Sequence, residues 1–132
     1  MPQQDKIKRE IDRIGLALSK LLGLFLQKPF NHSDAQGYIA QQLRSELDID
    51  LEVFLEMQTG PDLHFLIEDK KFSIEHLRNF ANLLYELAHK TDDVHKKKQL
   101  QDKALNIYKY IDSNGQGTLY LDVQYRIKEL KA

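Results

Sequence analysis

Six apolar residues near the start of the chain, Ile7, Ile11, Ile14, Leu18, Leu21 and Phe25, are spaced 4, 3, 4, 3, 4. A helix gathers residues at that rhythm on one face, whereas a strand would scatter them to both sides. The spacing predicts a first helix over about 4–27, ended by Pro29. In its second half Leu16, Ala17, Leu22, Leu24 and Leu26 widen the stripe to nearly the whole circumference. A helix that is apolar all round is normally buried on several sides. It is therefore expected to be a central core helix, the alternative being an interface with a second copy or with a partner's helix. Gly15 and Gly23 would admit a close neighbour.

The same helical spacing continues between the Pro and Gly breaks. Ser33 is a candidate N-cap, with Asp34 in the first turn and Tyr38, Ile39, Leu43 and Leu47 as the stripe behind it. A short helix is expected from Asp50, with Leu51, Phe54 and Leu55 inward. Thr59-Gly60-Pro61-Asp62 stops one helix and starts another, Pro61 suiting a first-turn position. That next piece, Asp62 to Glu68, carries Leu63, Leu66 and Ile67. Ser73 caps a long helix with the stripe Ile74, Leu77, Phe80, Ala81, Leu84 and Ala88, and Leu83 and Leu87 form a second flank. Thr91-Asp92-Asp93 reads as a turn with capping chemistry. The charged stretch His95 to Lys98 then precedes a helix with Leu100, Ala104, Ile107, Tyr108 and Ile111, closed by Asn114-Gly115. In the last segment Leu119, Leu121, Val123, Tyr125 and Ile127 alternate as in a strand, but Leu119, Val123, Ile127 and Leu130 also fit a helix. A lone strand would leave its backbone groups unpaired, so a helix is expected. The prediction is an all-α chain, a single domain over 1–132 of six or seven helices, with hairpin-type packing over about 73–131.

Composition narrows the function classes. At 132 residues the chain is one domain's worth. Nineteen Lys and Arg against twenty Asp and Glu leave a net charge of −1, without the basic excess of a dedicated nucleic-acid binder. There is no Cys, which removes disulfides, thiol catalysis and zinc ribbons together. The most apolar segment, Ile14 to Leu26, is 13 residues long and broken by Ser19 and Lys20. A bilayer span needs about 20. Met1-Pro2-Gln3-Gln4-Asp5 offers no cationic lead into an apolar stretch, so a cytoplasmic protein is expected.

Several stretches together carry a resemblance. They are Ile11 to Leu22, Leu47-Asp48-Ile49-Asp50-Leu51, Phe80 to Glu86, Lys103 to Tyr108, and Thr118 to Leu121 leading to Arg126-Ile127. Their order resembles a family of small bacterial helical proteins catalogued as a domain of unknown function, with a tetratricopeptide-like C-terminal half. The resemblance implies an all-helical fold and brings no activity. Ala104 and Tyr108 stand four apart, as a small residue and an aromatic do in the second helix of a tetratricopeptide repeat, with Ala81 as the small residue of the first helix. The intervening segment is too long for a 34-residue repeat and no second copy is visible, so one helix pair is expected and no array.

Candidate chemistry is sparse. Asp112 to Val123 resembles an EF-hand loop: Asp112, Asn114 and Gln116 fall at positions 1, 3 and 5, Gly117 at 6 and Leu119 at 8. Position 12, where the bidentate Glu belongs, is Val123, and position 9 is Tyr120. A Gly-rich turn explains the same residues through backbone preference. His89, Asp92, Asp93 and His95 lie close in sequence, but their spacing matches no standard metal site, and capping explains them. Glu68-Asp69 and Asp92-Asp93 read as solvated turns, and His95 to Lys98 as a solvated face too short for phosphate or lipid. No Gly-x-Ser-x-Gly elbow and no phosphate loop occurs. No catalytic, cofactor-binding or metal-ligating residue is assigned. The expected function is a non-catalytic helical protein-interaction module, binding a protein partner or its own copy, without nucleic acid or a membrane span. The alternative is a small-ligand or metal-binding protein using an inter-helix pocket or the loop at Asp112–Val123.

Overall fold

The computed structural model describes the backbone of residues 2–27, 32–114 and 121–131, and the side chains of 13–25, 35–114 and 121–131. The described residues form seven α-helices and no strand: α1 (Pro2–Gln27), α2 (His32–Leu47), α3 (Leu51–Glu56), α4 (Pro61–His64), α5 (Ile74–His89), α6 (Val94–Asn114) and α7 (Leu121–Lys131). A π-helical turn, Phe65–Asp69, follows α4 directly. None of these helices is long and apolar enough to cross a membrane. The C-terminal segment is a helix, with Val123 fully buried and Ile127 and Leu130 packed against the core. Leu119 of its expected stripe lies outside the described residues.

The centre of the core is α5. Leu77, Phe80, Ala81, Leu83, Leu84, Leu87 and Ala88 are all buried, so the stripe and its flank together cover most of the helix. It packs chiefly on α6 and on α1. Phe80 is met edge-on by Phe54 from α3, at a ring-centroid distance of 5.3 Å, and by Phe72, at 5.7 Å. Ser73 caps the helix as expected: its hydroxyl accepts from the His76 N–H, and the His76 ring nitrogen Nδ1 accepts from the Ser73 N–H. That reciprocal box satisfies two donors that the first turn leaves open.

This corrects the role expected for α1. Ile14, Ala17, Leu18 and Leu21 are buried against α5 and α2, but Leu16 is 71% exposed. The helix is one-sided at that point and is a wall of the core, with α5 as its axis. A Cβ on Gly15 would meet His76 only at an ordinary 3.6 Å, and one on Gly23 would meet nothing within 4 Å, so neither glycine is needed for a close approach.

Three smaller expectations are also corrected. Helix α2 starts at His32, which puts Ser33 inside its first turn, and Tyr38 points outward while Ala35, Ile39, Leu43 and Leu47 are buried. Those four repeat at 4, 4, 4, an inward row that excludes the neighbouring Tyr38. Second, α6 begins at Val94, so the charged stretch His95 to Lys98 forms its first turns. Asp93 caps it, accepting from the His95 and Lys96 N–H groups at 2.9 and 3.2 Å. Third, Glu68-Asp69 are exposed as expected, but their turn is π-helical, the Lys70 N–H reaching back five residues to the Phe65 carbonyl at 3.0 Å.

Candidate functional site

A row of polar residues on α6 organises the segment from α3 to α4. Lys96, Gln99, Lys103 and Asn106 are spaced 3, 4, 3 and so share one face. Lys96 pairs with Glu52. Gln99 donates to Glu56 at 3.1 Å, and Asn106 donates to Thr59 at 3.0 Å. Between them Lys103 reaches inward: its ammonium donates to Asp62 Oδ2 at 2.7 Å and to the Met57 carbonyl, and lies 5.4 Å from the centre of the Phe54 ring. The other Asp62 oxygen accepts from the Gly60 and Leu63 N–H groups at 3.0 and 2.7 Å. Lys96 and Gln99 thus hold α3, while Lys103, Asn106 and Asp62 hold the Gln58–Pro61 turn. Gly60 has φ 107°, in the left-handed range where a Cβ is strained.

The basic run is a solvated face in part: Lys96 is mostly covered beside Glu52, whereas His95 is exposed and Lys98, 3.7 Å from Asp102, is 76% exposed. Lys103, with buried Leu100, Ala104 and Ile107 around it, was not singled out in the sequence. The 3, 4, 3 polar rhythm beside the apolar one is the signal that marks it.

Two hollows flank the π-helical turn and share Asp69. One is an open groove of about 520 Å³ lined by Met57, Gly60, Pro61, His64, Phe65 and Asp69. The other is a more enclosed cleft of about 260 Å³, where Arg13, Asp48, Asp69, Lys70 and Lys71 surround a floor of Ile14, Leu47 and Phe72. Arg13 is steadied there by donating to the Glu46 carbonyl at 2.6 Å. Lys70 lies 3.8 Å from Asp48 Oδ2 and 5.6 Å from the centre of the Phe65 ring.

The cleft sits where two helical segments end in the same way. Asp48 has φ 54° and Lys71 φ 61°, the two non-glycine residues with positive φ among those described. The next N–H folds back over six residues in each case, Ile49 to Leu43 at 3.1 Å and Phe72 to Leu66 at 3.0 Å. Leu43, Ile49, Leu66 and Phe72 are all buried. Each bond spans one residue more than that of a Schellman ending, and the left-handed residue stands where glycine usually does.

The sequence-derived metal candidates are not brought together. His89 stacks edge-on against Tyr85 at 4.6 Å, and Asp93 is engaged as a helix cap. Among the described residues no group of three or more His, Cys, Asp or Glu could hold a metal ion. Of the EF-hand-like loop, 115–120 lie outside the described residues. Val123, at the position of the bidentate ligand, is fully buried in the apolar core.

A second polar cluster joins α5, α6 and α7. The Tyr108 hydroxyl donates to Asn82 at 2.5 Å, and Tyr85 donates to Glu129. Burial pushes the Tyr85 phenol up to about 12, with Glu129 adding to it. The Tyr108 phenol is also raised, chiefly by burial. These phenols stay protonated and act as hydrogen-bond donors at neutral pH. No protein-family model matches the chain, and neither the curated proteins nor the solved structures contain a match.

Proposed function

We propose that this chain is a non-catalytic helical interaction module of the cytoplasm, with α5–α6 as a tetratricopeptide-like helix pair. The observation that carries the reading is the open groove beside the π-helical turn. Met57, Pro61 and Phe65 offer a partner's apolar side chain a place to leave water, and His64 and Asp69 supply polar groups at the same groove. Met suits such a surface because its flexible thioether adapts to different shapes. The buried groups that chemistry would call on, Asp62, Lys103 and Tyr108, are engaged in contacts that hold helices together. For the helix pair, the support is that Ala81 and Ala104 are both fully buried, α5 and α6 being the most extensively packed pair in the fold.

The test is affinity capture of the tagged chain from its native cytosol, with Phe65→Ser run in parallel and its fold checked by circular dichroism. One stoichiometric partner, lost from the folded variant, supports the module and its groove. Retention of that partner by Phe65→Ser overturns the groove. Capture of nothing, with a monomer by light scattering, overturns the module.

A second reading, a small-ligand protein, is favoured by the enclosed cleft and its mixed charges at Arg13, Asp48, Asp69, Lys70 and Lys71. A thermal-shift screen of small polar metabolites tests it. A saturable rise that Lys71→Gly removes supports it, and a flat screen overturns it.

A further inference from the structure

We propose that α7 is a charge-latched strap, which leaves the α5–α6 pair as a unit, with the rest of the fold intact, when its ion pairs are screened. The helix has 11 residues, fewer than an isolated helix needs to persist in water, so its structure depends on docking. Its apolar anchorage is thin. Val123 is the one residue of α7 that is fully buried, Ile127 and Leu130 are half-buried, and Leu121 and Tyr125 are 73% and 67% exposed. Its backbone lies along α6, and long side chains bridge it to α5.

Those bridges are almost entirely charged. The Arg78 guanidinium grips Asp122 Oδ2 at 3.1 Å, while its other arm holds Glu75 at 2.9 Å. Arg126 lies 3.9 Å over the centre of the Tyr85 ring and 3.9 Å from Glu86, and Tyr85 donates to Glu129. One end of the Arg126 fork, Nη1, is buried and makes no well-formed hydrogen bond, although the guanidinium is near enough to Tyr108 to favour its ionised form, an effect smaller than burial. The paired charges are all partly open to solvent, so dissolved ions reach them. By contrast, α5 and α6 meet through an extensive apolar surface that salt does not weaken. The two contacts therefore respond to salt differently. Release would uncover Tyr85 and the surface of α6 beneath Val123.

The experiment is native-state hydrogen exchange by mass spectrometry on the full chain, in sodium chloride from about 0.01 M to about 1 M, over which the screening length falls from about 30 Å to about 3 Å. The expected result is that amides of 121–131 exchange roughly tenfold faster at high salt while those of α5 do not change. Acceleration of all helices together, or no acceleration of α7, overturns the proposal. The variant Asp122→Asn/Glu86→Gln/Glu129→Gln, which neutralises the carboxylate of every bridge between α5 and α7, gives the second arm. It should show, already at low salt, the α7 exchange that the unaltered chain reaches at high salt, and its own salt dependence should vanish. A variant that keeps the salt dependence places it outside these pairs and overturns the latch.

Discussion

The ammonium of Lys103 lies 2.7 Å from Asp62 Oδ2, with only 7% and 1% of the two side chains exposed. A pair so far from water gains strength from the low dielectric, yet each ion also gave up its hydration. The geometry here is completed by the Gly60 and Leu63 N–H groups on the carboxylate and the Met57 carbonyl on the ammonium. Removing one partner is then far worse than removing both. Lys103→Met keeps the aliphatic stem and strands the Asp62 charge. It should cost roughly 3–5 kcal/mol in urea unfolding. Lys103→Met combined with Asp62→Asn should cost less than the sum of the two single changes. Additive costs would mean that the pair is not coupled.

The left-handed endings at Asp48 and Lys71 give a prediction of the opposite sign. A non-glycine residue there loses roughly 1–2 kcal/mol, and glycine returns roughly 0.5–1 of that as extra freedom in the unfolded chain. Asp48→Gly and Lys71→Gly should each stabilise the fold by about 0.5–1 kcal/mol. The midpoint of urea unfolding reads this directly, and a lower midpoint would show that the side chains hold the ending together.

Capping at Ser73 is separable from packing. Its hydroxyl accepts from the His76 N–H at 3.2 Å, at the entrance to the central helix. Ser73→Ala should cost about 1 kcal/mol, and Ser73→Asp, which can also accept, should cost less. Equal losses in both variants would point to the small size of Ser73 instead of its hydroxyl.

Alkaline pH should weaken the fold through Tyr85. Its phenol is raised from 10 to about 12 by burial first and then by Glu129. The folded state therefore holds a proton that the unfolded state releases above pH 10. The stabilisation is fully present below pH 10 and is lost as the pH rises through about 12. Tyr108 shifts in the same direction. Urea midpoints measured from pH 9 upward should fall, and Tyr85→Phe should flatten part of that fall. An unchanged slope in the variant would assign the loss to other groups.

On α1, burial separates two leucines that the sequence treats alike. Leu18 is fully buried and Leu16 is 71% exposed. Leu18→Asp puts an unpaired carboxylate into the core and should abolish the cooperative melt by circular dichroism, whereas Leu16→Asp should leave it intact. A folded Leu18→Asp chain would mean that α1 is not needed for the core.

The helical character of this chain was legible residue by residue. The 4, 3, 4, 3, 4 seam of α1, the cap at Ser73, the start after Asp50 and the break at Gly60-Pro61 are local events, governed by spacing and by backbone groups a few residues apart. Which helix lies at the centre was not. Both α1 and α5 are apolar on more than one face, and only packing shows that α5 has neighbours on several sides while Leu16 faces water. The partners of charged residues were equally hidden. Lys103 meets Asp62 across 41 residues and Arg78 meets Asp122 across 44, distances at which no sequence rhythm links one charge to another. The sequence by itself determined where helices form, because propensity, capping and periodicity act within a turn or two. Only the tertiary structure decided the central helix, the buried pair and the two hollows beside the π-helical turn, because burial and ion pairing depend on what the rest of the chain brings alongside.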